Sequence, residues 1–313
     1  MRVSGPHTHE NLVLFFLHGP SQPGPVPLTL EEALAKGNVH LKETGVVSEL
    51  SIENIGDQEV FIQSGDIVKG GRQDRVLKAS IVLSPKSTAL PVSALCVESG
   101  RWAMRGDEDA RRFSESSRGL HDRAAKSAIK RSYSHDYVES RHGQSFVWSR
   151  VAASQDSMQR SLGRPMQAAA SPTSLQLSLE SEDLDKVQDA YGQKLSPLGG
   201  SETDILGMIW AVNGSISGAE VYPSNALFRK MYAKNLRAST TEAISEKASQ
   251  ASPAPTPEAV EAFLAAAEKG QLTEMDLPGA ARIATRVSGN VVFSEARRAD
   301  GAWVHRAYVA EHA

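Results

Sequence analysis

The sequence predicts an α+β fold: an antiparallel β-sandwich or barrel-like core in the N-terminal part, helices packed on it, and a small C-terminal helix–hairpin unit. Three observations lead there. Residues 39–97 read as successive short strands joined by tight turns. Residues 146–162 and 181–195 carry apolar stripes at helical spacing. The composition, 40% hydrophobic and 23% charged over 313 residues, is that of a globular chain able to bury a large core.

The elements follow in order. Leu12–Leu17 is an unbroken apolar run bracketed by Glu10 and His18. It is too short for a signal peptide or a spanning helix, and it reads as the first strand. After the Pro/Gly-rich stretch 19–27, Thr29 and Glu32 form a capping box in front of a two-turn helix, Leu30–Lys36, with Gly37 as its left-handed stop. Val46, Leu50 and Ile52 alternate with Val47, Glu49 and Ser51, the period of a half-buried strand. Val60–Ile62, Val76–Leu83 and Leu90–Val97 are the next strands. Connections this short allow only antiparallel neighbours. From 103 to 145, Arg, Ser, Asp and Glu dominate, which predicts a solvated, partly helical insertion or a lid carrying Arg105, Arg111 or Lys126.

Helices then take over, with Val147, Val151, Met158 and Leu162 on one face, and Leu184, Val187, Tyr191 and Leu195 on another after an N-cap at Ser181. Asn213-Gly214 predicts a type I′ hairpin between Met208–Val212 and Ile216–Tyr222, and Ser224 caps a long helix to about Lys247. The stretch 249–256 reads as a linker, separating a main domain, 1–248, from a unit at 257–313. That unit holds a helix opened by Thr256-Pro257-Glu258 and a hairpin, Val291–Ala296 with Trp303–Val309.

A net charge of −3 gives no global attraction to nucleic acid or to an anionic membrane, and no segment approaches the ~18 unbroken apolar residues of a spanning helix. The single cysteine, Cys96, excludes an internal disulfide and fits a reducing, cytoplasmic setting. Neither a metal site nor a cofactor is expected: His7 and His9 lie near the chain end, and the other histidines lack ligand spacing.

Two segments stand out chemically. Gly65–Arg75 combines glycines, whose amides lie open to a ligand, with Lys69, Arg72 and Arg75, groups suited to phosphate or carboxylate. Gly65-x4-Gly70 matches part of a P-loop, yet Gly71 replaces the lysine and a strand follows, so that reading is rejected. Cys96–Trp102 places Cys and Arg as an anion-binding thiolate loop would. Glu98, however, would repel both thiolate and anion, so a buried core cysteine is the better reading. Glu98 and Asp74 are the candidate general bases, and Trp102 is a candidate for stacking on a base or ribose.

The strings Gly70-Gly-Arg-Gln-Asp-Arg75 and Gly100-Arg-Trp102, with Cys96–Ser99, Glu49–Asn54, Ser171–Gln176 and Ala211–Gly214, carry a resemblance. The chain resembles, over roughly residues 8–245, the bacterial domain family named for its association with ADP-ribosylglycohydrolase and rhodanese-phosphatase superfamily proteins. What the resemblance implies is a link to NAD and ADP-ribose metabolism, with no catalytic residue to carry over. The expected ligand is therefore ADP-ribose-like or otherwise nucleotide-derived, and its hydrolytic processing is a further expectation beyond binding. Gly70, Gly71, Arg72, Gln73, Arg75, Arg101, Trp102 and Asn213 are the candidate binding residues. The alternative is a non-enzymatic scaffold or partner-binding module in which the same charges form a structural network.

Overall fold

The structure is a computed structural model and describes residues 1–101, 105, 112–135, 137–248, 252–277 and 281–311. In chain order the first half comprises β1 (Arg2–His9), β2 (Leu12–His18), β3 (Leu28–Thr29), α1 (Leu30–Ala35), β4 (Val39–Glu43), β5 (Glu49–Asn54), β6 (Val60–Ile62), β7 (Ile67–Gly70), β8 (Arg75–Leu77), β9 (Ile81–Leu83), β10 (Leu90–Cys96) and β11 (Phe113–Ser114). Helices α2 (Arg123–Arg131), α3 (Glu139–His142), α4 (Gln144–Leu162), α5 (Leu175–Leu179) and α6 (Glu182–Leu195) follow. The chain ends with β12 (Ile205–Val212), β13 (Ser215–Val221), α7 (Asn225–Ser245), α8 (Pro257–Ala267), β14 (Gln271–Leu277), β15 (Ala281–Ser288), β16 (Val291–Arg297) and β17 (Trp303–Ala310). The class is mixed α+β, dominated by antiparallel pairing.

An eight-stranded sheet, in the order β1-β2-β12-β13-β17-β16-β15-β14, forms the body. Strand β2 explains its own unbroken apolar run. Leu12, Leu14 and Phe16 enter one core, while Val13, Phe15 and Leu17 enter another on the opposite face. A strand covered on both faces loses the alternation of a half-buried one. Helices α4, α6 and α7 build the first of these cores and α8 part of the second. A third core lies within residues 28–113, where Leu50, Ile52, Val60, Ile62, Leu77, Leu83 and Val92 meet among the strands of a six-stranded sheet, β11-β7-β8-β10-β5-β4, and a three-stranded one, β3-β6-β9.

Local chemistry sets many boundaries as expected. Thr29 Oγ1 accepts from Glu32 N at 3.1 Å and Glu32 Oε2 accepts from Thr29 N at 2.8 Å, the reciprocal capping box in front of α1. Asn213 and Gly214 take φ of 49° and 78°, the left-handed pair that a type I′ turn needs between β12 and β13. Ser224 accepts from Leu227 N at 3.3 Å to start α7, and Thr256 from Ala259 N at 3.2 Å to start α8.

Four features differ from the sequence reading. β1, β4 and the pair β14–β15 were not anticipated, and Val46 and Val47, expected in a half-buried strand, are exposed in the turn between β4 and β5. The single strand expected over 76–83 is two strands: β8 pairs with β10, β9 pairs with β6, and the chain crosses between sheets at 78–80. Within 103–145, helix α2 packs into the core, whereas residues 137–139 are exposed as a solvated stretch would be. Ala125, Ala128 and Ile129 of α2 are buried, and so are Arg123 and Lys130. Long cationic side chains can be buried here because their partners sit on other elements: Arg123 Nε lies 3.5 Å from Glu242, and Lys126 stands 4.7 Å over the Trp210 ring. The lid residue Arg111 lies outside the described residues. Finally, the segment after 256 does not form a sheet of its own, because β17 pairs with β13, Ala219 opposite Tyr308. His305 Nδ1 also meets Ser80 Oγ at 2.9 Å, tying β17 to the 28–113 strands.

Candidate functional site

The β7–β8 hairpin carries the glycine-rich segment. Gly70 and Gly71 take φ of 113° and 58°, and a Cβ on Gly70 would come within 2.7 Å of Arg112 O while one on Gly71 would strike the Phe113 ring. Glycine is therefore required at both places. The amides expected to be open are taken: Gly70 N donates to Asp74 Oδ1 at 2.9 Å and Gly71 N to Arg112 O at 3.0 Å.

Pairing of β8 with β10 sets Arg75 opposite Cys96 and so brings the two conspicuous segments side by side. Val97 N donates to Asp74 O, and Asp74 N returns a bond to Glu98 Oε2, both at 3.0 Å. Leu175 N then donates to Val97 O, which lays the start of α5 against the pair. At that helix start Ser174 Oγ accepts from Leu177 N as the N-cap and donates to Asp74 Oδ2 at 2.7 Å. The Ser171 hydroxyl donates to Glu98 Oε1.

Two guanidinium groups close the centre. Arg105 grips Asp74 with both terminal nitrogens, at 2.8 and 3.1 Å, and lies 3.4 Å from Glu98. Arg101 donates from Nε to Glu98 Oε1 at 2.7 Å and from its terminal nitrogens to the carbonyls of Gly71 and Gly70 at 3.2 and 3.4 Å. Beside them Arg75 donates to Gln73 Oε1 at 3.0 Å, to Cys96 Sγ at 2.6 Å and to Glu43 Oε2 at 3.2 Å. Gln144 pairs with both the N–H and the C=O of Cys96 at 2.8 Å, as a neighbouring strand would.

Asp74, Gln73 and Glu98 are fully buried and Arg75 is 1% exposed, so these charges are paired with one another and not presented to solvent. Burial pushes the Glu98 carboxyl up, but hydrogen bonds from Arg101, Ser171 and the Asp74 amide outweigh it and hold the group below its ordinary value. Burial pushes the Cys96 thiol up to about 11 against the pull of Arg75, the state of an unreactive core cysteine. Two buried donors, Gln73 Nε2 and Arg75 Nε, have no acceptor among the described residues. Each such donor costs about 1–3 kcal/mol. Arg72, at the hairpin tip, is exposed; its amide donates to Glu43 at 3.1 Å, and its guanidinium has no carboxylate partner among the described residues.

Of the candidate residues, Gly70, Gly71, Arg72, Gln73, Asp74, Arg75, Glu98 and Arg101 come together. Trp102 lies outside the described residues. Asn213 does not join them. It sits in the β12–β13 turn, with its side chain tied to Glu246 O at 2.6 Å and Asn11 Nδ2 at 3.0 Å. Sequence reasoning placed Arg105 only on a candidate lid, where the structure buries it against Asp74, and gave no site role to Ser171, Ser174, Glu43 or Gln144. Ser171 and Ser174 stand in one of the strings that carried the resemblance; Glu43 and Gln144 have no local signal. Among the described residues, one group has metal-ligand geometry, His18 with Glu202 and Asp204, but Arg2 already lies 3.4 and 3.8 Å from the two carboxylates.

The family model described as the ARG and Rhodanese-Phosphatase-superfamily-associated Protein domain matches residues 1–309, so the chain belongs to that family. The match runs past the expected limit near residue 245 and takes in the C-terminal strands up to residue 309. No curated protein and no solved structure matches the chain.

Proposed function

We propose that the protein binds a phosphate-bearing, nucleotide-derived ligand of the ADP-ribose class at the tip of the β7–β8 hairpin. Arg72 is the anion-holding group, and the buried Asp74–Glu98–Arg101–Arg105 network is its rigid frame. The observation that carries this reading is the contrast within one cluster. Its other cations are buried or half-buried against carboxylates or carbonyls, Lys69 on Glu180 among them, whereas Arg72 projects, exposed and with no carboxylate partner among the described residues, from a backbone bend that only glycines permit. The family description, with its ADP-ribosylglycohydrolase association, agrees with a ligand of this class.

A hydrolytic step does not belong to this reading. The oxygens of Asp74 accept from Gly70 N, two Arg105 nitrogens and Ser174, and those of Glu98 from Arg101, Ser171 and Asp74 N. Each Asp74 oxygen already accepts two bonds and Glu98 Oε1 accepts from Arg101 and Ser171, and both residues are fully buried, so neither carboxylate is presented to a substrate water. Asp74 and Glu98 therefore act as framework anions.

The second reading, a structural network without a ligand, is favoured by the same burial. Calorimetric titration of the whole chain with ADP-ribose separates the two. The expected result is binding by the wild type, 10- to 100-fold weaker in Arg72→Ala, because a charge-assisted hydrogen bond contributes about 1.5–3 kcal/mol. Chromatography of the same mixture should show intact ADP-ribose. Absence of binding to ADP-ribose, ADP and pyrophosphate alike would leave only the structural network.

A further inference from the structure

Inside, α6 and α7 meet through apolar side chains such as Leu184, Leu195 and Leu236, but the outer part of their seam is polar. Asp185, Gln188, Asp189 and Gly192 recur on α6 at spacings of three and four and share one face. Ala233, Arg237 and Thr240 do the same on α7. Gly192 and Ala233 are too small to fill the gap between the helices, and a cavity of about 450 Å³ remains, bounded at its side by Arg118. That volume lies within the range of small-molecule sites.

One wall of the cavity is built and the other is free. Arg118 donates to Asp185 Oδ1 at 2.6 Å and to Gln188 Oε1 at 3.2 Å. Gln188 is held in turn by Thr241 Oγ1 at 2.7 Å and Arg237 O at 3.1 Å. Arg118 Nε is buried with no acceptor among the described residues. Beside these groups on the cavity lining, Asp189 and the Arg237 guanidinium are exposed, and neither has an ion-pair partner among the described residues.

The charges name the ligand class. Two arginines and two aspartates cancel, so the cavity holds no surplus for a polyanion or a polycation. Planar donors and acceptors set side by side match vicinal hydroxyls, each of which both donates and accepts. We propose that this cavity binds a neutral polyhydroxyl ring of the pentose or hexose class. Asp189 accepts from one hydroxyl, Arg237 donates to its neighbour, and Arg118, Asp185 and Gln188 form the fixed floor. The proposal is independent of the anion site at Arg72.

The test is saturation-transfer NMR of the full chain with D-ribose and with D-glucose. A Cβ on Gly192 meets nothing nearer than Ser196 Oγ at 3.6 Å, so Gly192→Leu directs its side chain into the cavity with no backbone strain. The wild type should show transfer to at least one sugar. Gly192→Leu should abolish it, Asp189→Asn should weaken it tenfold or more, and Arg72→Ala should leave it unchanged. If Gly192→Leu does not fold, the pair Asp189→Asn and Arg237→Ala reads the same site. No transfer to either sugar, transfer that persists in the cavity variants, or tighter binding of free phosphate or glycine than of sugar would overturn the proposal.

Discussion

Replacing Asp74 by Ala removes the anion around which the buried network is arranged. Asp74 is fully buried and accepts from Gly70 N at 2.9 Å, from Arg105 at 2.8 and 3.1 Å and from Ser174 Oγ at 2.7 Å, with Arg101 at 3.8 Å. The variant takes from the buried Arg105 the carboxylate it grips with two nitrogens; its 3.4 Å contact to Glu98 Oε1 falls on an oxygen that Arg101 and Ser171 already share, and its bond to Ser174 Oγ at 3.3 Å is to a neutral group. It also strips the Gly70 amide of its acceptor at the hairpin bend. Removing one partner of a buried pair costs roughly 3–5 kcal/mol. With an m-value of about 3 kcal/mol/M in urea, the midpoint of a urea melt should fall by about 1–1.7 M. Arg72→Ala is the control: an exposed substitution shifts stability by within about 0.5 kcal/mol. If Asp74→Ala melts at the same urea concentration as Arg72→Ala, the buried network does not hold the two segments together and the reasoning fails.

Cys96 should resist modification. With its thiol raised to about 11, only about one molecule in ten thousand is thiolate at neutral pH, so native-state reaction with a disulfide reagent should be far slower than in urea; stoichiometric labelling within minutes would refute this. His121 is wholly buried and pushed down to about 4, first by desolvation and further by Lys126 and Arg150, against the pull of Asp122. The unfolded chain takes up that proton near its ordinary value of 6.5 and the folded chain does not, so stability should fall as pH drops from 6.5 towards 4, by about 3 kcal/mol for this group. In His121→Gln, urea midpoints measured across that window should show a shallower slope than in the wild type. Gly214→Ala should cost roughly 1–3 kcal/mol, because φ is 78° and the new Cβ would sit 2.7 Å from Pro253 O; an unchanged thermal midpoint would show that the turn is not held in this form.

Local signals were legible wherever a few consecutive residues decide the outcome. Thr29 with Glu32, Asn213 with Gly214, Ser224 and Thr256 each fix a cap or a turn through a hydrogen bond or a φ that depends on near neighbours. The apolar stripes of α4 and α6 were equally plain, although Val187 turns out 37% exposed. The glycine-rich segment and the segment after Cys96 each interrupt an apolar strand visibly, and the pairing of β8 with β10 sets them side by side. The break between β8 and β9 could not, because Val76, Leu77, Ile81 and Leu83 look alike whichever sheet receives them. Helix α2 misled for another reason: its cations read as solvated until their distant partners, Glu242 and Trp210, are placed.

By itself, the sequence determined the α+β class, helices α1, α4, α6, α7 and α8, the β12–β13 and β16–β17 hairpins, and the two polar segments that come to lie side by side. These depend on periodicity and on residue-level backbone preference, which act over a few positions. Tertiary structure alone decided whether the charges of that segment are offered or consumed. Asp74 meets Arg105 and Ser174, and Glu98 meets Ser171, across gaps of 31, 100 and 73 residues. Whether an arginine holds a ligand or a buried carboxylate depends on what the fold sets within three ångströms of it, and no local pattern encodes that distance.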